Sequence, residues 1–183
     1  MNKLFPTYEI GSLPKLNARV KAARGQPITD DDIKEVQTLT QEFSVNGNEA
    51  IEVLRHLKTE QRTPTQEQEF VLVDFNSLLY LRLQEAMGLD FVYDGEARRA
   101  EMYQHVATRI EGFERTPEMI RSRGPDSWRM AVCVAPPRLK DGSLDSLVTK
   151  EFDFVHQHAR RPTKVPIDDP YMIAVMSDNR HYI

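Results

Sequence analysis

Two short glycine turns carry the residues best suited to chemistry. Gly11 and Ser12 follow a predicted strand, Tyr8-Glu9-Ile10, and Gly95 and Glu96 follow another, Leu89 to Tyr93. Glycine lets a backbone approach a ligand closely. A carboxylate just beyond it, in a poorly solvated pocket, can pair strongly with an ammonium. Glu96 is therefore a candidate ligand for a cationic group; its plain alternative is to cap the helix that follows. Ser12 is a candidate binding hydroxyl or a simple turn residue. Arg99 is a candidate functional cation or an ordinary ion-pair residue. Asp168 and Asp169, at a third predicted strand end, have the chemistry of acid/base groups or metal ligands, yet loop acids before a proline are common.

Other reactive residue types read as structural. His156 and His158 lie two apart on a predicted helix, so they point to different faces and are expected at its surface. Cys133 is the single cysteine and falls in an apolar strand. It allows no internal disulfide and no multi-cysteine zinc site, and buried free cysteine usually only packs. The sequence has no nucleophile elbow, phosphate loop or dinucleotide fingerprint.

The 183 residues are 40% hydrophobic and 28% charged, the balance of a soluble globular chain. The net charge is −4, and the densest basic runs, Arg98-Arg99 and Arg160-Arg161, are only pairs, which argues against a nucleic-acid partner. No apolar run approaches the ~18 residues that span a bilayer, and Met1 to Tyr8 lacks a secretory core. The expectation is a cytoplasmic protein with no membrane partner.

These turns need elements to position them. Arg19 to Arg24 reads as a short helix. Thr29 is a predicted N-cap, and Asp30, Asp31 and Asp32 suit the positive end of the helix that follows. Ile33, Val36, Leu39 and Phe43 give it an apolar face, and Ile51, Leu54 and Leu57 do so for the next helix. Thr63, with Pro64 and Gln66, predicts the start of a long helix that stops at Gly88 and is apolar on more than one side. The strand Leu89 to Tyr93 comes next, then a helix over 101–110 with Met102, Val106 and Ile110 on one face. Residues 112–129 read as irregular or as a hairpin. Met130 to Val134 is a predicted strand stopped by Pro136-Pro137, Ser143 to Arg160 a helix, and Thr163 to Ile167 a core strand before a final helix. Strands alternating with helices predict an α/β fold with a parallel sheet.

Three stretches in order resemble the cobalamin-independent methionine synthase family. They are Ile10-Gly11-Ser12-Leu13-Pro14; Gln84-Glu85-Ala86-Met87-Gly88-Leu89-Asp90 with Gly95-Glu96, Arg99 and Met102; and Lys164-Val165 through Pro170-Tyr171. The resemblance implies a TIM-type (β/α)8 barrel of the methionine synthase/uroporphyrinogen decarboxylase-like type, here only its first half. On that reading residues 1–183 form one partial barrel domain with an irregular insertion at about 112–142. The active site of such a barrel lies at the C-terminal ends of its strands, where both glycine turns fall. The resemblance also implies methyl transfer to a thiol, most simply homocysteine. The donor would be a methylated folate or a methylcobalamin protein. The turn with Ile10, Gly11 and Ser12 would hold the amino-acid part, and Glu96 its ammonium.

Two departures stand out. Arg99-Ala100-Glu101-Met102 replaces the family's Arg-Asn-Asp-Met, and Asp168-Asp169 stands where relatives often carry a small residue and glycine. The family's zinc ligands belong to the second half of the barrel, and a whole barrel needs ~200–250 residues. Zinc is therefore expected in the complete enzyme but not on this chain. The partner would be a second chain bearing the other half, or another copy that covers the exposed sheet edges. The alternative is a non-catalytic binding or regulatory module derived from the barrel. A weaker reading groups Asp168, Asp169, Glu96 and His181 as a new hydrolytic or lyase site.

Overall fold

A computed structural model describes residues 4–99, 102–121, 127–139 and 148–182. The chain divides into two units, Met1–Arg98 with Phe154–Lys164, and Arg99–Asp153 with Val165–Ile183.

The first unit is built on four helices, α1 (Asn17–Ala23), α2 (Asp30–Glu42), α3 (Asn48–Glu60) and α4 (Gln66–Ala86). Helix α2 starts as its sequence dictates. Thr29 accepts from the Asp32 N–H, and the Asp32 carboxylate accepts from the Thr29 N–H at 2.8 Å, a reciprocal box that satisfies two end donors. The apolar faces meet in one core: Ile33 and Val36 from α2, Ile51, Leu54 and Leu57 from α3, Leu72 and Phe75 from α4. Burying a leucine such as Leu54 is worth ~1.5–3 kcal/mol. Helix α4 buries residues all round, from Leu72 to Gln84, as its composition predicts.

Its start is a correction. The cap is Thr65, paired with Gln68, and not Thr63. Both threonines stand three residues before a glutamine, so the local pattern is degenerate. Arg62 decides it by donating to both the Thr63 carbonyl and the Gln68 side chain.

The predicted strands of this unit do not form a regular ladder. Tyr8 to Ile10 is irregular, and Leu89 to Tyr93 meets Thr163 only at an isolated parallel bridge through Val92. Even so, three extended segments run side by side. The Thr7 carbonyl accepts from the Asp90 and Phe91 N–H groups, the Leu13 N–H donates to Gly95, and Val92 bonds to Pro162 and Lys164. The partners ascend together along the chain, which is the sense of parallel pairing. A small apolar cluster of Leu81, Val92 and Val155 packs on them.

The second unit holds the sheet. Strand β1 (Ile110–Arg121) pairs antiparallel with β2 (Ser127–Leu139), and β2 pairs in parallel with β3 (Ser177–Asn179). The predicted all-parallel sheet is thus corrected to a mixed one within the expected α/β class. Of the stretch read as irregular or a hairpin, residues 112–121 and 127–129 lie in this antiparallel pair, and 122–126 lie outside the described residues. Pro136-Pro137 does not stop β2. The register shifts between Glu111 and Phe113, where Gly112 sits at φ +91°, and a Cβ there would lie 2.5 Å from the Ala135 carbonyl. The prolines lie opposite this irregularity, where no ladder N–H is demanded of them. Helix α5 is shorter than predicted, Met102–Ala107, because Ile110 joins β1. Helix α6 spans Thr149–His158; positions 143–147 of its predicted extent lie outside the described residues. The predicted final helix is α7 (Pro170–Val175), and β3 beyond it was not anticipated.

Candidate functional site

The second glycine turn is fixed by side chains rather than by a strand ladder. Gln84, in the last turn of α4, donates to the Tyr93 carbonyl at 2.7 Å and accepts from the Tyr93 N–H at 3.3 Å. One side-chain amide thereby satisfies both backbone groups of a fully buried residue. Asp94, also fully buried, accepts from the Glu96 N–H at 3.0 Å and from the Ser77 hydroxyl at 3.1 Å. The first bond closes a tight Asp-initiated turn. On its far side, the Arg19 guanidinium donates to the Ala97 carbonyl at 2.6 Å. Burial pulls Arg19 below its usual range, an effect that Glu69 and Asp94 oppose.

Gly95 has φ +64°, and a Cβ there would lie 2.7 Å from Leu13. Only glycine lets the Leu13 N–H reach the Gly95 carbonyl at 3.0 Å. Glu96 also has a left-handed backbone, φ +60°. For a residue with a Cβ this costs ~1–3 kcal/mol and persists only where the surroundings impose it, commonly at functional sites.

The two turns meet at three points. Besides the Leu13–Gly95 bond, the Ser12 hydroxyl donates to the Glu96 carboxylate and the Tyr93 hydroxyl donates to the Gly11 carbonyl. Glu96 itself is 4% exposed. The arrangement holds a carboxylate oriented by a hydroxyl between two glycine turns, which is chemistry suited to gripping an ammonium. Ile10 stands at the rim, 73% exposed, with its N–H on Glu9. Of the residues singled out in the sequence, Gly11, Ser12 and Glu96 are therefore brought together. Gln84, Tyr93 and Asp94 were missed as supports, although all three lie in or beside the second motif. Ser77 carried no local signal, because only packing brings its helix turn to Asp94.

The other candidates lie in the second unit. Arg99 is 2% exposed, donates to Glu151 at 2.9 Å and also to the Pro166 carbonyl. These are the contacts of a structural ion pair. Asp169 caps α7, accepting from the Met172 N–H at 2.8 Å with Pro170 in the first helical turn; Asp168 before it is part-buried. Cys133 is buried in β2 with its thiol toward the Ala135 carbonyl. In the first unit, His158 stacks on Phe154 at 4.2 Å between ring centres. Among the described residues, no three His, Cys, Asp or Glu side chains come together to hold a metal. No described helix is long and apolar enough to cross a membrane.

Fold and site together define an α/β protein in which a buried glutamate joins two glycine turns. The relatives found by comparison carry a more particular name. Over 107 residues, 58% of its length, the chain is 36% identical to a protein of Pyrococcus abyssi named methionine synthase and 35% identical to one of the same name from Thermococcus kodakarensis. Over 93 residues it is 30% identical to a 5-methyltetrahydropteroyltriglutamate–homocysteine methyltransferase of Synechococcus. The resemblance to that family is thereby borne out over a little more than half of the chain. The matched stretch covers 30% of the first two relatives and 12% of the third. No protein-family model matches the chain.

Proposed function

We propose that the chain is the amino-acid-binding part of a methyltransferase acting on a thiol, homocysteine being the first candidate. The observation that carries this reading is the Ser12–Glu96 contact between two glycine turns. Glu96 would bind the substrate ammonium, Ser12 would hold the carboxylate in position, and Gly11 and Gly95 would admit the ligand against the backbone. The names of the relatives supply the reaction class.

We also read residues 1–183 as the first part of a (β/α)8 barrel. The ascending contacts among the segments around Thr7, Val92 and Thr163 support this, because they have the order and sense of three successive barrel strands. The zinc expected in such an enzyme does not fit the described residues of this chain, among which no three His, Cys, Asp or Glu side chains come together. A second polypeptide carrying the remaining barrel, or another copy, would complete the protein in the cytoplasm.

Calorimetric titration of the purified chain with L-homocysteine tests the binding reading. Binding is expected, and E96Q should weaken it about tenfold or more, the worth of a charge-assisted hydrogen bond of ~1.5–3 kcal/mol. Equal affinity of wild type and E96Q would remove Glu96 from the site.

A further inference from the structure

Gly95 and Glu96 are the middle residues of a tight turn, which the Ala97 N–H closes by donating to the Asp94 carbonyl at 3.2 Å. Both have positive φ, +64° and +60°, as in a type I′ turn. Glycine, asparagine and aspartate are the residues such positions favour. A glutamate there opposes the local preference, so the surroundings must impose its backbone.

Asp94 is placed to impose it. Its carbonyl accepts from the Ala97 N–H and its carboxylate accepts from the Glu96 N–H at 3.0 Å. One residue thereby bonds the amide on either side of the Glu96 Cα. The carboxylate is held in turn from α4, where the Ser77 hydroxyl donates to its other oxygen at 3.1 Å. Seven positions along the same helix, Gln84 grips both backbone groups of Tyr93. Residues at that spacing share a helical face and stand ~10.5 Å apart along its axis. One face of α4 thus fixes both Tyr93 and Asp94, immediately before the turn. Asp94 and Ser77 are fully buried, so water does not compete for the bond between them.

We propose that Asp94 is a positioning residue: anchored by Ser77, it holds Glu96 in its left-handed turn and so sets how strongly the Glu96 carboxylate binds a cation. The inference rests on the ammonium reading above and adds to it a residue that acts through Glu96.

A double-mutant cycle separates this role from plain support of the fold. L-homocysteine is titrated calorimetrically into wild type, D94A, E96Q and the D94A/E96Q double variant, with D94N alongside. D94A should weaken binding about tenfold, and D94N, which keeps an acceptor oxygen for the Glu96 N–H, should restore most of the loss. In the E96Q background D94A should cost little more, because the charge it positions is already gone. If D94A does not fold by circular dichroism, S77A takes its place in the same cycle, with a smaller loss expected that is again absent beside E96Q. Losses that add in the double variant mean that Asp94 only supports the fold, which overturns the proposal. Unchanged affinity in D94A, with loss in E96Q, overturns the role of Asp94 and keeps that of Glu96. Failure of wild type to bind homocysteine overturns both readings.

Discussion

Two glutamates, each 4% exposed, are put to different use in the two units. Glu151 in α6 accepts from the Arg99 guanidinium, so one buried charge neutralises another. Glu96 occupies a left-handed position in a glycine turn and accepts from the Ser12 hydroxyl. That serine hydroxyl orients the carboxylate across the two glycine turns. Burial by itself therefore does not mark a binding residue. The backbone distinguishes the two acids: Glu96 holds a strained left-handed position, whereas Glu151 lies within a regular helix.

Breaking the structural pair should have the largest effect. E151A removes the carboxylate bonded to a guanidinium that is 2% exposed, and urea unfolding should show a loss of about 3–5 kcal/mol. A loss near zero would mean that water reaches the pair and that the contrast with Glu96 is only one of geometry. G95A strikes the other member of the comparison. It adds a Cβ at positive φ against Leu13, and a stability loss of ~1–3 kcal/mol together with weaker homocysteine binding is expected.

Asp32 gives an intermediate case, a buried acid shared between a helix cap and Lys21. Burial raises its pKa, but hydrogen bonds from Lys21 and Thr29 outweigh burial and leave it lowered. A depressed folded pKa stabilises above the unfolded value of ~3.9, and the contribution disappears as pH falls through the folded value. The stability gap between wild type and D32N should be open at neutral pH and close as the solution is acidified below about pH 4. A gap that does not change with pH would show that the cap works without its charge. D169A removes the α7 cap and should cost about 1 kcal/mol by thermal unfolding. E96Q should have the smallest effect on stability, under about 1 kcal/mol, because the amide oxygen still accepts from Ser12. A loss as large as that of E151A would make Glu96 a second structural acid.

Much of the first unit was legible in the sequence. Thr29 with Asp32 and the spacing of Ile51, Leu54 and Leu57 act within a few residues, where backbone geometry fixes which groups can meet. The Thr63 cap failed because two overlapping local patterns were equally good. The strands were less legible, since a strand exists only through its partner. Leu89 to Tyr93 has strand composition, yet a glutamine side chain from α4 takes up both backbone groups of Tyr93.

The sequence by itself determined the helices, their apolar faces, and the glycines with Ser12 and Glu96, because each depends on side chains close along the chain. Tertiary structure decided that Ser12 reaches Glu96 across 84 positions, that Lys164 lies over Tyr8, and that β2 pairs antiparallel with β1 and parallel with β3. Such contacts depend on which distant segments pack together. Backbone hydrogen bonding and burial fix that choice only once the whole chain has folded.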